Sequence, residues 1–340
     1  MVTPRSKPVQ VCTDEGKNSS PRSTDPLTTQ GTSSSINTSA EQDTAPSERI
    51  EEPPLWQVIQ ESDSLDAPKP RIQREIQRYI DESELTDEYN ILFLYDENNQ
   101  INRYMSNRIY SAVTSLSKSK QKNLFLMIHN FGGRVEPAYL ISKCCKNSAR
   151  KFVAVVPRFA KSAATLISLG AAEIHMGIIS ELGPIDPQVG NYPALGLSAG
   201  IEAIVQLCKT HQDVADLLAK NLLSSLNLHD LGYLERVSAS AVQYAERLLS
   251  DKKLPSTPTD LANKFVYGYK DHGFVIDRDE ASHILGAEVV KFDTPEYQLA
   301  NRLHEYFEQV NLFYAIFKDA YMTVLGDPIE GIGFRVNERR

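Results

Sequence analysis

Apolar and polar positions fall into two regimes along this chain. Short solid apolar runs, Ile91-Leu-Phe-Leu-Tyr95, Leu124-Phe-Leu-Met-Ile128 and Phe152-Val-Ala-Val-Val-Pro157, read as buried strands, with Glu173-Ile-His-Met-Gly177 a shorter one. Between them apolar residues recur at helical spacing, as Met105, Ile109, Val113 and Leu116 do within 104–116, and helices are expected over 136–145 and 162–172. Strands alternating with helices predict an α/β fold whose parallel strands are joined by right-handed crossovers. Residues 53–84 read as approach helices, interrupted near Pro68 and Pro70. After Ser180-Glu-Leu-Gly-Pro-Ile-Asp-Pro-Gln188 the pattern turns helical, with long helices expected over 197–226 and 230–250 and another over 259–265. The last element, expected over 296–321, sets Leu299, Leu303, Tyr306, Phe307, Val310, Phe313, Tyr314, Phe317 and Tyr321 on one stripe. That stripe lies in a segment, 291–340, read as a carboxyl-terminal helical region for packing or for assembly. Because an exposed aromatic surface of this size is unusual on a monomer, a homo-oligomer joined through this helix is expected.

Composition changes this picture mainly at the start. Residues 1–52 are rich in Ser, Thr, Pro, Asp and Glu and nearly devoid of apolar side chains, so they are expected to be disordered. A net charge of −8 argues against a nucleic-acid partner, which requires a basic face. The four cysteines, Cys12, Cys144, Cys145 and Cys208, have no metal-ligand spacing, so neither a metal nor any other cofactor is expected. Met1-Val-Thr-Pro-Arg5 carries no apolar leader and the apolar stretch 163–172 is too short to span a bilayer; a reduced cytoplasmic setting without an integral membrane segment is expected.

The chemistry concentrates after two strands. His129-Asn-Phe-Gly-Gly-Arg134 and Phe159-Ala-Lys-Ser-Ala-Ala-Thr165 both sit at strand carboxyl ends, where open sheets place their ligands. Ser162 begins a helix among small residues and is the candidate nucleophile. Gly132 and Gly133, with the amide of Ala163, are the candidate oxyanion hole. The bland readings, a helix cap for Ser162 and a turn requiring positive φ for the glycines, use the same geometry. No G-x-S-x-G elbow is present. Among the seven histidines His272, in a polar turn, is the candidate base, whereas His129 reads as structural. Asp186, in a loop stiffened by Pro184 and Pro187, is the candidate orienting acid.

These segments, together with Ser180-Glu-Leu-Gly-Pro-Ile-Asp-Pro-Gln188, resemble the serine dehydrogenase proteinase family, Clp-fold serine peptidases distantly related to the Clp protease subunit and signal peptide peptidase A. The name refers to a degraded protein and implies no redox activity. The resemblance spans roughly residues 85–290 and implies a Clp/crotonase-like spiral of strands and helices, peptide or protein substrates, and a Ser162, Asp186, His272 triad in that chain order. Relatives usually follow the histidine with Asp and then Tyr-Pro-Ile; here Gly273 and Phe274-Val-Ile276 stand instead. Three alternatives stay open: a Ser-Lys dyad using Lys209 or Lys220, a crotonase-type acyl-CoA hydratase or isomerase, and an inactive scaffold. No G-x-x-x-x-G-K-[ST] run occurs, so energy-dependent unfolding would require a separate ATPase partner.

Overall fold

The computed structural model describes residues 52–116, 122–185, 188–189, 192–212, 215–217, 220–221 and 228–337. The expected disordered tail, up to residue 51, lies outside the described residues. Residues Glu52–Arg340 form one compact unit, so the approach helices, the 85–290 region and the 291–340 segment are parts of a single body.

In chain order the elements are α1 Leu55–Glu61, α2 Lys69–Glu82, β1 Tyr89–Tyr95, α3 Arg103–Leu116, β2 Asn123–His129, α4 Val135–Ser148, β3 Phe152–Val156, β4 Phe159–Ala160, α5 Ala163–Leu169 and β5 Glu173–Met176. Then come β6 Glu181–Leu182, β7 Gln188–Val189, β8 Tyr192–Pro193, α6 Ala194–Thr210, α7 Leu228–Leu249, α8 Pro258–Tyr267, β9 Ile276–Asp277, α9 Arg278–Leu285, β10 Val290–Lys291, α10 Pro295–Lys318, β11 Ala320–Gly326 and β12 Ile332–Val336. The central sheet runs β10-β5-β3-β2-β1-β11-β12; the first five strands are parallel and the last two antiparallel. Successive side chains of the parallel strands point to opposite faces, and both faces are covered, hence the solid apolar runs. Leu92, Leu94, Leu126 and Val156 join the core formed with α3, α4, α5 and α7. Phe93, Tyr95, Phe125 and Val155 join the one formed with α2 and α10.

Two expectations about the carboxyl-terminal region are corrected. The helix α10 ends at Lys318, capped by Asp319 in the left-handed region, and Tyr321 belongs to β11. The sheet is therefore completed by residues after α10, not before it. The aromatic stripe does not reach outward: Leu299, Leu303, Tyr306, Phe307, Val310 and Tyr314 are buried against the chain's own sheet, and Phe313 and Phe317 pack on the same core. Among the described residues no helix is long and apolar enough to cross a membrane.

Candidate active site

A second, small sheet positions the chemistry. The strand β4 pairs in parallel with β6, and β6 pairs antiparallel with β9, in the registers Ala160↔Leu182 and Leu182↔Ile276. Ser162 follows β4 by two residues, and His272 precedes β9 by four. The sheet thus brings the serine turn and the histidine turn to one place although 110 residues separate them in sequence. Asp186 lies outside the described residues.

Ser162 is the residue before α5, which is shorter than expected, with seven residues. Its backbone has φ 50° and ψ −117°, and its side chain makes no capping hydrogen bond. Asp319 also has positive φ, but with ψ 46° it occupies the ordinary left-handed well, whereas Ser162 does not. A non-glycine residue held there stores about 1–3 kcal/mol of strain and persists because its surroundings over-determine it. Those surroundings are specific. Thr165 Oγ1 lies 2.6 Å from the Ala160 carbonyl and 2.8 Å from that of Gly183, and accepts from the Gly183 amide at 3.0 Å. Lys161 turns aside and pairs with Glu181 at 2.8 Å.

The glycine loop packs directly on this turn. Gly132 has φ 103°, and a Cβ there would lie 2.6 Å from the Lys161 carbonyl oxygen, 2.8 Å from Ser162 Cβ and 3.0 Å from the Ala163 nitrogen. Gly133 has φ 148°, and its Cβ would strike the Ile101 backbone nitrogen at 2.3 Å. Both positions therefore exclude any side chain. Asn130, fully buried, shapes the loop: Nδ2 donates to the Asp96 and Asn99 carbonyls, and Oδ1 accepts from the Gly132 amide at 2.7 Å. That last bond engages the Gly132 amide within the loop, at a position that has no room for a side chain. Among the described residues, neither the Gly133 nor the Ala163 amide has an acceptor in the backbone or side-chain hydrogen-bond network.

Ser162, Gly132, Gly133 and His272 line one cleft of about 690 Å³. Its walls also include Glu97 to Gln100, and Tyr233, Arg236, Val237, Ser240 and Tyr244 of α7. This contribution of α7 was not anticipated, because its residues look like any solvated helix face in the sequence. The described residues lining the cleft include no lysine; Lys209 and Lys220 are exposed on the surface. The adjacent thiols Cys144 and Cys145 are unbonded and burial pushes both up, so neither competes as a nucleophile.

Two uncharacterized proteins of Methanocaldococcus jannaschii match this chain, one 31% identical over 170 residues, half of this chain and 54% of that protein. The other is 28% identical over 164 residues, 48% of this chain and 51% of its own length. The chain thus spans about half the length of the curated relatives it matches. Among solved structures, a membrane-bound stomatin-specific protease is 14% identical, with a TM-score of 0.40 over 66% of this chain and 84% of that one. ClpP1 from Listeria monocytogenes is likewise 14% identical, with a TM-score of 0.39 over 65% of this chain and 98% of that one. The family described as ClpP-like SDH-type serine proteinase matches residues 99–299, which include the glycine loop, Ser162 and His272; this chain belongs to that family.

Proposed function

We propose that this protein is a serine peptidase in which Ser162 attacks the carbonyl carbon of a peptide bond. In this reading His272 takes the Ser162 proton and delivers it to the leaving amine, and Asp186 orients the imidazole. The amides of Gly133 and Ala163 hold the oxyanion, each donor of this kind contributing about 10²–10³-fold in rate. Water then hydrolyses the acyl-enzyme, with His272 as base. The observation that carries the reading is the strained backbone of Ser162, pressed against a glycine that admits no Cβ, on the same cleft as His272. Nothing about a simple helix cap requires that strain, and Ser162 makes no capping bond.

Protein or peptide substrates are the proposed class, and α7 lines the cleft in which they would bind. A homo-oligomer stays part of the proposal, now without α10 as its joint; a separate ATPase or regulator is compatible with it. The test compares hydrolysis of an unfolded protein, such as casein, by the wild type and by Ser162→Ala and His272→Gln. Loss of turnover in both variants, with unchanged thermal midpoints, supports the reading. Full turnover in Ser162→Ala removes it.

A further inference from the structure

Behind the glycine loop lies a second cluster that peptide hydrolysis does not use. Four side chains from three distant segments converge there: Glu97 after β1, His129 at the end of β2, and His304 and Glu308 one turn apart on α10. One donor atom from each lies within 4.8 Å of all the others. His129 Nε2 contacts Glu97 Oε1, and His304 Nε2 lies 4.0 Å from Glu308 Oε1. The two imidazoles meet edge to face at 4.5 Å. Both are at least nine-tenths buried, and neither nitrogen of His304 has a hydrogen-bond partner among the described residues. A buried imidazole without partners is destabilising by about 1–3 kcal/mol for each polar atom, so such atoms ask for an explanation.

We propose that Glu97, His129, His304 and Glu308 form a four-coordinate binding site for a divalent transition-metal ion of the zinc class. The donor set, two imidazoles and two carboxylates, suits that class and leaves no open position, so the site is structural. Burial holds both histidines below their ordinary range, and at His304 the neighbouring His129 adds to the effect. Metal ligands at 2.0–2.1 Å in a tetrahedron stand roughly 3.4 Å apart, so closing the cluster on an ion requires side-chain shifts of about 1 Å. A supporting shell is already in place. Tyr95 donates to Glu308 Oε1 at 2.8 Å, receives a bond from Asn311 at 3.1 Å, and stacks on the His129 ring at 5.0 Å. The nearby guanidinium of Arg158 is committed elsewhere, to Asn301, the Pro157 carbonyl and Glu305. The partly exposed carboxylates of Glu97 and Glu308 leave a route in from solvent, and Glu97 also lines the cleft.

The consequence is mechanical. His129 immediately precedes Asn130, which holds the glycine loop, so a bound ion would tie that loop to α10. The cysteine spacings, on which no metal was expected, carry no sign of this site, whose donors are spread over more than two hundred residues. The proposal does not rest on the role of Ser162.

The test uses the full chain, stripped with chelator and titrated with Co²⁺ alone and with Zn²⁺ alone, by calorimetry and visible absorption. One equivalent of Co²⁺ is expected to bind with the intense visible bands of a tetrahedral site and to be displaced by Zn²⁺. Glu308→Gln and His304→Gln should each weaken Zn²⁺ binding more than tenfold, while Ser162→Ala leaves it unchanged. If His304→Gln does not fold, Glu308→Gln, whose side chain is half-exposed, carries the comparison. Absence of stoichiometric binding, the weak bands of octahedral Co²⁺, or equal affinity in the wild type and Glu308→Gln would overturn the site.

Discussion

Replacing Gly132 by alanine tests the packing of the glycine loop on the serine turn. The added methyl would sit 2.6 Å from the Lys161 carbonyl oxygen, 2.8 Å from Ser162 Cβ and 3.0 Å from the Ala163 nitrogen, against an ordinary contact of about 3.5–4.0 Å. Two of the three are backbone atoms and the third is a Cβ, so no side-chain rotation relieves the clash. If the loop holds, positive φ contributes about 1–3 kcal/mol of strain and overpacking about 1–3 kcal/mol more, for a loss of roughly 2–6 kcal/mol. If the loop yields instead, it must move by about 0.5–1 Å, which displaces the Gly133 amide and lowers kcat by about a hundredfold. Urea unfolding and casein hydrolysis together distinguish the two outcomes. Gly200→Ala is the control, since nothing lies within 4 Å of its added methyl on α6, and it should gain about 0.5–1 kcal/mol. A Gly132→Ala variant with wild-type stability and wild-type turnover would refute the packing argument.

Three further outcomes are expected. Asn130→Ala orphans the Gly132 amide and the Asp96 and Asn99 carbonyls, and should lose about 3 kcal/mol or more in urea unfolding, together with kcat; a loss below 1 kcal/mol would count against its role. Lys252, half-buried after α7, donates to the Leu169 and Ala171 carbonyls at the end of α5, so Lys252→Met should shift the urea midpoint by the equivalent of about 1–3 kcal/mol without changing the slope. Burial pushes the Glu296 carboxyl up, but bonds from His175 and Tyr89 outweigh it and bring the value down to about 2 from an ordinary 4.5. Its contribution is therefore present above about pH 4.5 and is lost as pH falls toward 2, so Glu296→Gln should flatten that part of the Tm-against-pH curve; a steeper curve in the variant contradicts the assignment.

The alternation of β1, α3, β2, α4, β3 and α5 was legible because each element carries its own period and both faces of the sheet are covered. Ser162 was legible because it follows a solid apolar run and opens a helix of small residues. The limits are equally physical. The stripe on α10 had the right period, but periodicity does not say whether a face meets another subunit or the chain's own sheet, and here it meets the sheet. The strands β11 and β12 escaped notice because α10 stops at Asp319 without the glycine or proline that usually marks such an end. The engagement of the Gly132 amide is an Asx-turn in which Asn130 reaches two residues forward, and the sequence shows only that an Asn stands there, not that its side chain makes the bond. The His129 and His304 cluster was invisible because it is made by tertiary packing alone.

Covalent labelling tests the central claim most directly. The full chain is treated with a fluorophosphonate at neutral pH, digested, and the modified residue located by mass spectrometry. Attachment at Ser162, abolished in Ser162→Ala and strongly slowed in His272→Gln, is the expected result. Labelling at another residue, or none on a folded wild-type protein that hydrolyses casein, would contradict the assignment of Ser162 as the nucleophile.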